Sequence, residues 1–112
     1  MWFIRPGPDV TSASESFTAY VARLGCNGGV TGAVLPPTVK SSDARVVVTF
    51  TVKAGQPGAQ TCIGNRPVPV VVNLGEAIGQ RQLVDGACHS GGEASTTSFC
   101  IHGSVRWNPG GA

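Results

Sequence analysis

His89 and His102 flank the last two cysteines of the chain and are its first candidates for chemistry. The imidazole nitrogen is a common ligand of copper and zinc, and Asp85 or Glu93 would add an oxygen ligand. However, no C-x2-C or H-x3-H pair occurs, and the spacing matches no common zinc module. We therefore interpret both histidines as solvated loop residues and expect no metal.

The cysteines predict a domain held together by disulfide bonds. There are four of them: Cys26, Cys62, Cys88 and Cys100. An even number in a small chain is typical of proteins that fold in an oxidising compartment. Three pairings are open; Cys26–Cys62 and Cys88–Cys100 are preferred because each joins the flanks of one loop system. A redox-active role would need a close pair such as C-x-x-C, which the sequence lacks.

Three charged residues lie on or beside the last two predicted strands, namely Arg81, Asp85 and Arg106. A partly buried Arg–Asp pair there would fix the end of a sheet. The alternative is that these side chains contact an anionic ligand. Together with His89 and His102, they are the candidate ligand-contact residues of the chain.

Nucleophilic catalysis requires a serine or cysteine near a histidine and an orienting acid. No G-x-S-x-G elbow occurs, and the carboxylates are spread along the sequence. We therefore assign no catalytic residue and no cofactor, and predict that the chain is not an enzyme.

Composition narrows the class of protein further. The 112 residues fit one domain. Its core must be thin, because 15 Val and 16 Gly stand against four Leu, four Ile and four Phe. The net charge is +2 and the basic residues are scattered, a pattern that does not predict nucleic-acid binding. No apolar run approaches the ~20 residues of a membrane span, and the apolar start is too short for a signal peptide.

Alternation of apolar and polar residues predicts short strands. The clearest strand runs from Arg45 to Lys53, with Val46, Val48 and Phe50 on one face. Pro67 and Pro69 mark either the start of a strand or the edge of a sheet. The other predicted strands are Val30–Leu35, Val68–Leu74, Gln80–Val84 and Phe99–Trp107.

Residues 14–25 fit two interpretations. Their apolar residues from Phe17 to Leu24 fall at helical spacing, and Ser12-x-x-Glu15 resembles a capping box. The same stretch is rich in strand formers. We favour a strand because the pattern downstream is β.

These elements predict an all-β fold: a small antiparallel β-sandwich of Ig-like architecture with two disulfides. We divide the chain into an irregular N-terminal arm (1–13), a single β-sandwich domain (14–109) and a tail (110–112). Trp2, Phe3 and Ile4 in the arm either pack back on the sheet or bind a partner.

Several strings of this chain carry a resemblance to a kind of bacterial protein. They are LGCNGGVTG at 24–32, RVVVTFTV at 45–52, CIGN at 62–65, NLGE at 73–76, GQRQLVDGAC at 79–88, Cys100 and VRW at 105–107. With them, the chain over about residues 17–109 resembles small, mostly uncharacterised secreted proteins of high-GC Gram-positive (actinobacterial) type. The resemblance implies an extracellular or cell-envelope location and carries over no activity.

The function expected from the sequence is a non-catalytic secreted or cell-envelope binding module. The Gly/Ser-rich loops at 54–66 and 86–98 would form its contact surface. One alternative is a structural or assembly subunit that pairs through an edge strand. Another is a small metal-binding or hydrolytic protein that uses His89, His102 and Asp85. The partner, an unknown protein or cell-surface ligand, and the oligomeric state stay open.

Overall fold

The structure is a computed structural model that describes residues 1–55, 58, 60–89 and 93–109. The tail at 110–112 and parts of both predicted contact loops (56, 57, 59 and 90–92) lie outside the described residues. The described chain is mostly strands, with one short α-helix and two 3₁₀ turns. The strands are β1 (Trp2–Phe3), β2 (Ser16–Val21), β3 (Thr38–Ser41), β4 (Arg45–Thr49), β5 (Val68–Asn73), β6 (Gln82–Asp85) and β7 (Val105–Trp107); the helix α1 is Ser98–Ile101, and the 3₁₀ turns are Gly86–Cys88 and Glu93–Thr96.

The strands form two sheets, which confirms the all-β prediction. A three-stranded sheet has the order β1-β2-β5, and a four-stranded sheet has the order β3-β4-β6-β7. Pairing is antiparallel except between β4 and β6, which run parallel. A parallel pair requires a crossover connection, and here the chain passes through β5 in the other sheet before it returns as β6. The wholly antiparallel arrangement expected from the sequence therefore fails at this one pair.

The ambiguous stretch at 14–25 forms strand β2, as favoured. Phe17, Ala19 and Val21 are buried and alternate with more exposed residues. Val46 and Val48 of β4 are fully buried in the same period-2 manner. These two strands follow the predicted alternation because each presents one face to the core and one to solvent.

Strand β5 lies at the edge of its sheet, the position that Pro69 indicated. Pro69 faces Tyr20 of β2 in the register and has no N–H to donate to a further strand. Val72 is buried on the inner face, whereas Val71 is 68% exposed on the outer one. A proline in an edge strand discourages a further strand from adding there.

Several predicted strands are shorter or differently built than expected: β4 ends at Thr49 instead of Lys53, and β6 begins at Gln82 instead of Gln80. Residues 30–35 make only isolated bridges at Val30 and Val34, and Gly32 between them has a positive φ of 87°. The predicted strand Phe99–Trp107 begins instead as helix α1. The Thr97 carbonyl accepts hydrogen bonds from the N–H groups of Cys100 and Ile101, which turns the chain before β7.

The N-terminal arm is not wholly irregular, because Trp2 and Phe3 pair with Val21 and Tyr20 of β2. The Trp2 side chain is 0% exposed and belongs to the core. Its backbone N–H donates to Asp85 Oδ2 at 3.0 Å, and its indole Nε1–H donates to the Val48 carbonyl at 2.8 Å. Both acceptors belong to the four-stranded sheet, so Trp2 joins the two sheets through hydrogen bonds as well as packing.

One core cluster takes side chains from both sheets and from the turn before β6. The buried members are Trp2, Phe17, Ala19, Val21, Val46, Val48, Phe50, Val72, Ile78 and Leu83. The rings of Trp2 and Phe17 lie 5.5 Å apart between centroids. Four of these ten residues are Val, which buries less area than Leu or Phe, and Trp2 and the two Phe supply the large side chains.

Both preferred disulfides are present. Cys26 is bonded to Cys62 and Cys88 to Cys100, and the described residues contain no free cysteine. Each bond restricts the unfolded chain and is worth roughly 2–4 kcal/mol in a small domain. With such a thin core, this contribution is a large share of the net stability.

We predict that Trp2→Phe lowers the free energy of unfolding by about 1–3 kcal/mol, because the buried Val48 carbonyl loses its donor. The matched control is Trp107→Phe, since Trp107 is half-buried and its indole makes no hydrogen bond within the described residues. Urea titration measures both. Equal losses for the two variants would contradict the proposed role of the indole N–H.

Candidate functional site

Asp85 is the centre of the charged cluster and is 0% exposed. Its Oδ2 accepts hydrogen bonds from the Trp2 N–H at 3.0 Å and from Arg106 Nη2 at 3.2 Å. Its Oδ1 accepts from the Ala87 N–H at 3.0 Å, which caps the 3₁₀ turn that follows β6. A buried carboxylate is tolerated when its oxygens are hydrogen-bonded and its charge is paired, and both requirements are met here.

Both terminal nitrogens of Arg106 are bonded to the protein itself. Nη1 donates to the carbonyls of Phe99 (3.1 Å) and Gly103 (3.5 Å), and Nη2 also lies 3.6 Å from Cys88 Sγ. Only 12% of its side chain is exposed, and Nε is buried without a hydrogen-bond partner in the described part of the chain. The predicted Arg–Asp pair therefore exists, and it fixes α1 and the Cys88–Cys100 bridge against the end of the sheet.

Arg81 lies in another part of the molecule. Its guanidinium donates to the carbonyls of Ile78 (2.8 Å) and Ala77 (2.7 Å) and forms an ion pair with Glu76 at 3.1 Å. The structure therefore does not bring Arg81 to Asp85. It closes the turn before β6, and Glu76 is largely exposed.

Gly86 shows how tightly the chain is packed after Asp85. A Cβ atom at this position would overlap Thr49 Oγ1 and would lie 2.9 Å from Val47 Cγ1. Only glycine lets the 3₁₀ turn pass this close to β4. This close approach sets where Cys88 and its disulfide begin.

The charges of Asp85 and Arg106 also act on the Met1 α-ammonium. Burial lowers its pKa below the usual value, the Asp85 charge acts in the opposite direction, and the Arg106 charge lowers the pKa further. The ammonium lies 3.5 Å from the Ala22 carbonyl. The hydrogen bond from the Trp2 N–H to Asp85 Oδ2 brings the start of the chain to the end of β6.

His89 and His102 do not share a metal site within the described residues, which hold no group of three or more His, Cys, Asp or Glu suited to a metal ion. His102 ends helix α1 and is exposed. His89 Nε2 lies 2.9 Å from Ser104 Oγ. This serine–histidine contact has no sequence signal, since Ser104 is one of many serines.

The Ser104–His89 contact places a serine and a histidine as in a hydrolytic triad. The third member of such a triad is an orienting acid. An orienting acid must accept a hydrogen bond from the histidine. The nearby Asp85 directs both of its oxygens to backbone N–H groups and to Arg106 instead. The arrangement therefore gives His89 no orienting carboxylate from Asp85.

A cavity of about 290 Å³ opens beside the other disulfide, and we call it the disulfide cavity. Its walls are largely apolar, and Phe99 at its rim is 47% exposed. The lining residues are Met1, Phe3, Ala22, Arg23, Leu24, Gly25, Cys26, Cys62, Gly64, Asn65, Pro67 and Phe99. The predicted contact loop at 54–66 reaches the cavity through Cys62, Gly64 and Asn65, whereas no described residue of the loop at 86–98 lines it; Phe99 belongs to helix α1.

Two polar side chains hold the walls of the disulfide cavity in place. Asn65 Nδ2 donates to the carbonyls of Arg23 (2.9 Å) and Gly25 (2.6 Å). Arg23 Nε donates to the Thr31 carbonyl at 3.0 Å, and its guanidinium also bonds the Lys53 carbonyl. The cavity is therefore braced by side chain to backbone bonds as well as by the disulfide.

Comparison of the chain with protein-family models, with curated proteins and with solved structures gives no match. Within the described residues, no helix has the length and apolar character needed to cross a membrane. We therefore infer the function from the geometry of the described residues.

We predict that Asp85→Asn lowers the free energy of unfolding by about 3–5 kcal/mol, because it leaves the Arg106 guanidinium buried without its counter-charge. Glu76→Gln is the matched control: it also removes a carboxylate paired with an arginine, but at an exposed site, where the cost is about 1 kcal/mol or less. Urea titration measures the free energy of unfolding of both variants. A loss for Glu76→Gln as large as that for Asp85→Asn would contradict this assignment.

Proposed function

We propose that the chain is a non-catalytic binding module of the extracellular space or cell envelope, and that the disulfide cavity is its contact surface. One observation carries the proposal: the predicted contact loop at 54–66 supplies Cys62, Gly64 and Asn65 to a largely apolar cavity that a half-exposed aromatic of helix α1, Phe99, also lines. Exposed aromatics beside a shaped cavity are typical anchors of protein recognition. The occupant we propose is an apolar side chain of a partner protein.

The rigidity of the site supports binding. The cavity walls are fixed by the Cys26–Cys62 bond and by Asn65, and the Phe99 carbonyl is held by Arg106. A surface that is ordered before it meets its partner loses less conformational entropy on binding. Loops on such a scaffold commonly carry recognition.

The location rests on the cysteines and on the resemblance. Two disulfides with no free thiol in the described residues suit an oxidising compartment. The likeness to secreted actinobacterial proteins points the same way. The Ig-like architecture remains part of this proposal, supported by two sheets that share one core.

The alternative of assembly through an edge strand has less support. All four residues of edge strand β3 are exposed, which offers a free edge, but Lys40 lies in the middle of it. Edge strand β5 carries Pro69. Charged residues and prolines at edges are the usual devices against strand addition. In the part of the chain that the structure describes, no carboxylate is hydrogen-bonded to His89, so the hydrolytic alternative has no orienting acid there for the Ser104–His89 contact.

The test is a titration with N-acetyl-tryptophanamide, a mimic of an apolar protein side chain, followed by two-dimensional amide NMR. We expect saturable shifts at Leu24, Asn65 and Phe99, with a Kd on the order of 1 mM as befits one side chain. Phe99→Ala should weaken binding at least about fivefold through the loss of its ring contact.

Ile101→Ala is the matched control. Ile101 lies in the same helix and is 66% exposed, but it does not line the disulfide cavity. Unchanged binding by this variant supports the assignment. Shifts elsewhere, or equal weakening by both variants, would overturn it.

A further inference from the structure

A second cavity of about 290 Å³ lies on the outer face of the three-stranded sheet, and we call it the outer cavity. It is bounded by strands β2 and β5 and by the chain that follows β1. Its lining residues are Ile4, Arg5, Asp9, Val10, Ser16, Phe17, Thr18, Tyr20 and Val71. None of them lines the disulfide cavity, although Tyr20 stacks on Phe3, which does.

The lining of the outer cavity combines opposite charges, hydroxyl groups and apolar surface. Asp9 supplies a carboxylate and Arg5 a guanidinium, while Ser16, Thr18 and Tyr20 supply three hydroxyl groups. Val71, which is 68% exposed, adds an apolar patch on β5. The disulfide cavity has no such set, because its guanidinium, Arg23, bonds backbone carbonyls.

The polar groups of the outer cavity are free to bind a ligand. Within the described residues, the Asp9 carboxylate and the Ser16, Thr18 and Tyr20 hydroxyl groups have no hydrogen-bond partner. Asp9 and Arg5 form no ion pair with each other. A ligand would therefore find both donors and acceptors without first breaking bonds within the protein.

The aromatic side of the outer cavity is ordered in advance. The Arg5 guanidinium carbon lies 4.2 Å from the centroid of the Tyr20 ring. The Tyr20 ring in turn stacks on Phe3, with centroids 5.6 Å apart. This cation–π and stacking arrangement holds the guanidinium in position, so less side-chain entropy is lost when a ligand binds.

The chemistry of the lining selects one ligand class. A simple anion would be repelled by Asp9, a simple cation by Arg5, and a hydrocarbon would leave both charges desolvated. Neighbouring hydroxyl groups on a ring can donate to the carboxylate and accept from the guanidinium together, while the C–H face of the ring packs on Val71. At about 290 Å³ the cavity is at the small end of ligand sites, which suits one ring. We propose that the outer cavity binds a single neutral pyranose unit of a glycan.

The experiment is an amide NMR titration of the disulfide-bonded protein with three probes: methyl β-D-glucopyranoside, methyl α-D-mannopyranoside and methyl β-D-galactopyranoside. A single ring should bind with a Kd on the order of 1 mM, so each probe is raised to about 50 mM. Saturable shifts at Asp9, Thr18 and Val71 with at least one hexoside are the expected result. Glycerol at the same concentration tests for unspecific effects of hydroxyl groups.

Two pairs of variants locate the site. Asp9→Asn and Thr18→Val should each raise the Kd about tenfold, because each removes one hydrogen-bonding group from the outer cavity. Asp43→Asn and Thr38→Val make the same chemical changes at exposed positions outside the cavity and should bind as the parent does. The dispersion of the spectra shows directly whether each variant is folded, and Tyr20→Phe replaces either variant that is not.

Three results would overturn the proposal. The first is the absence of saturable shifts with all three hexosides. The second is an equal response to glycerol, which would indicate an adventitious additive only. The third is binding that persists unchanged in Asp9→Asn and Thr18→Val. Failure here leaves the disulfide cavity untouched, since its probe and its residues are different.

Discussion

The buried carboxylate of Asp85 is the constraint on which the rest of the structure depends. A fully buried charge is costly unless every lone pair is directed at a donor and an opposite charge lies close by. Here the donors come from separate parts of the chain: Trp2 in β1, Ala87 in the 3₁₀ turn and Arg106 in β7. One carboxylate therefore ties the N-terminal strand, the end of β6 and the last strand together.

The same network extends to the proposed contact surface. Arg106 uses its second nitrogen to hold the Phe99 carbonyl and lies against Cys88 of the second disulfide. Phe99 is thereby held among the residues that line the disulfide cavity, and Met1 and Phe3 on either side of Trp2 line it as well. The Asp85–Arg106 ion pair is buried and structural, and through the Phe99 carbonyl it also helps to shape the surface that we propose for binding.

The sequence predicted the features that depend on local pattern. Alternation identified β4, whereas β2 was favoured by its strand formers and by the β pattern downstream. Pro67 and Pro69 marked the start of a strand or an edge, and β5 both starts there and lies at an edge. Closure of neighbouring flanks favoured both disulfides among the three open pairings.

Features that depend on distant partners could not be predicted in this way. A strand of two residues is too short to show an alternating pattern. β1 is therefore recognised only from the hydrogen bonds of Trp2 to Asp85 and Val48, far along the chain. The parallel pairing of β4 and β6, the approach of Ser104 to His89 and both cavities arise from tertiary contacts that leave no spacing signal. The Ig-like topology and the secreted location stay predictions.

The most direct test of the account is amide hydrogen exchange at Trp2, measured residue by residue in the native protein. If the Asp85 carboxylate locks the N-terminal strand to the four-stranded sheet, the Trp2 amide should exchange only through global unfolding, at the rate of the buried amides of β4. Fast exchange at Trp2 beside slow exchange in β4 would show that the N-terminal strand opens on its own. That result would contradict the central role given to Asp85.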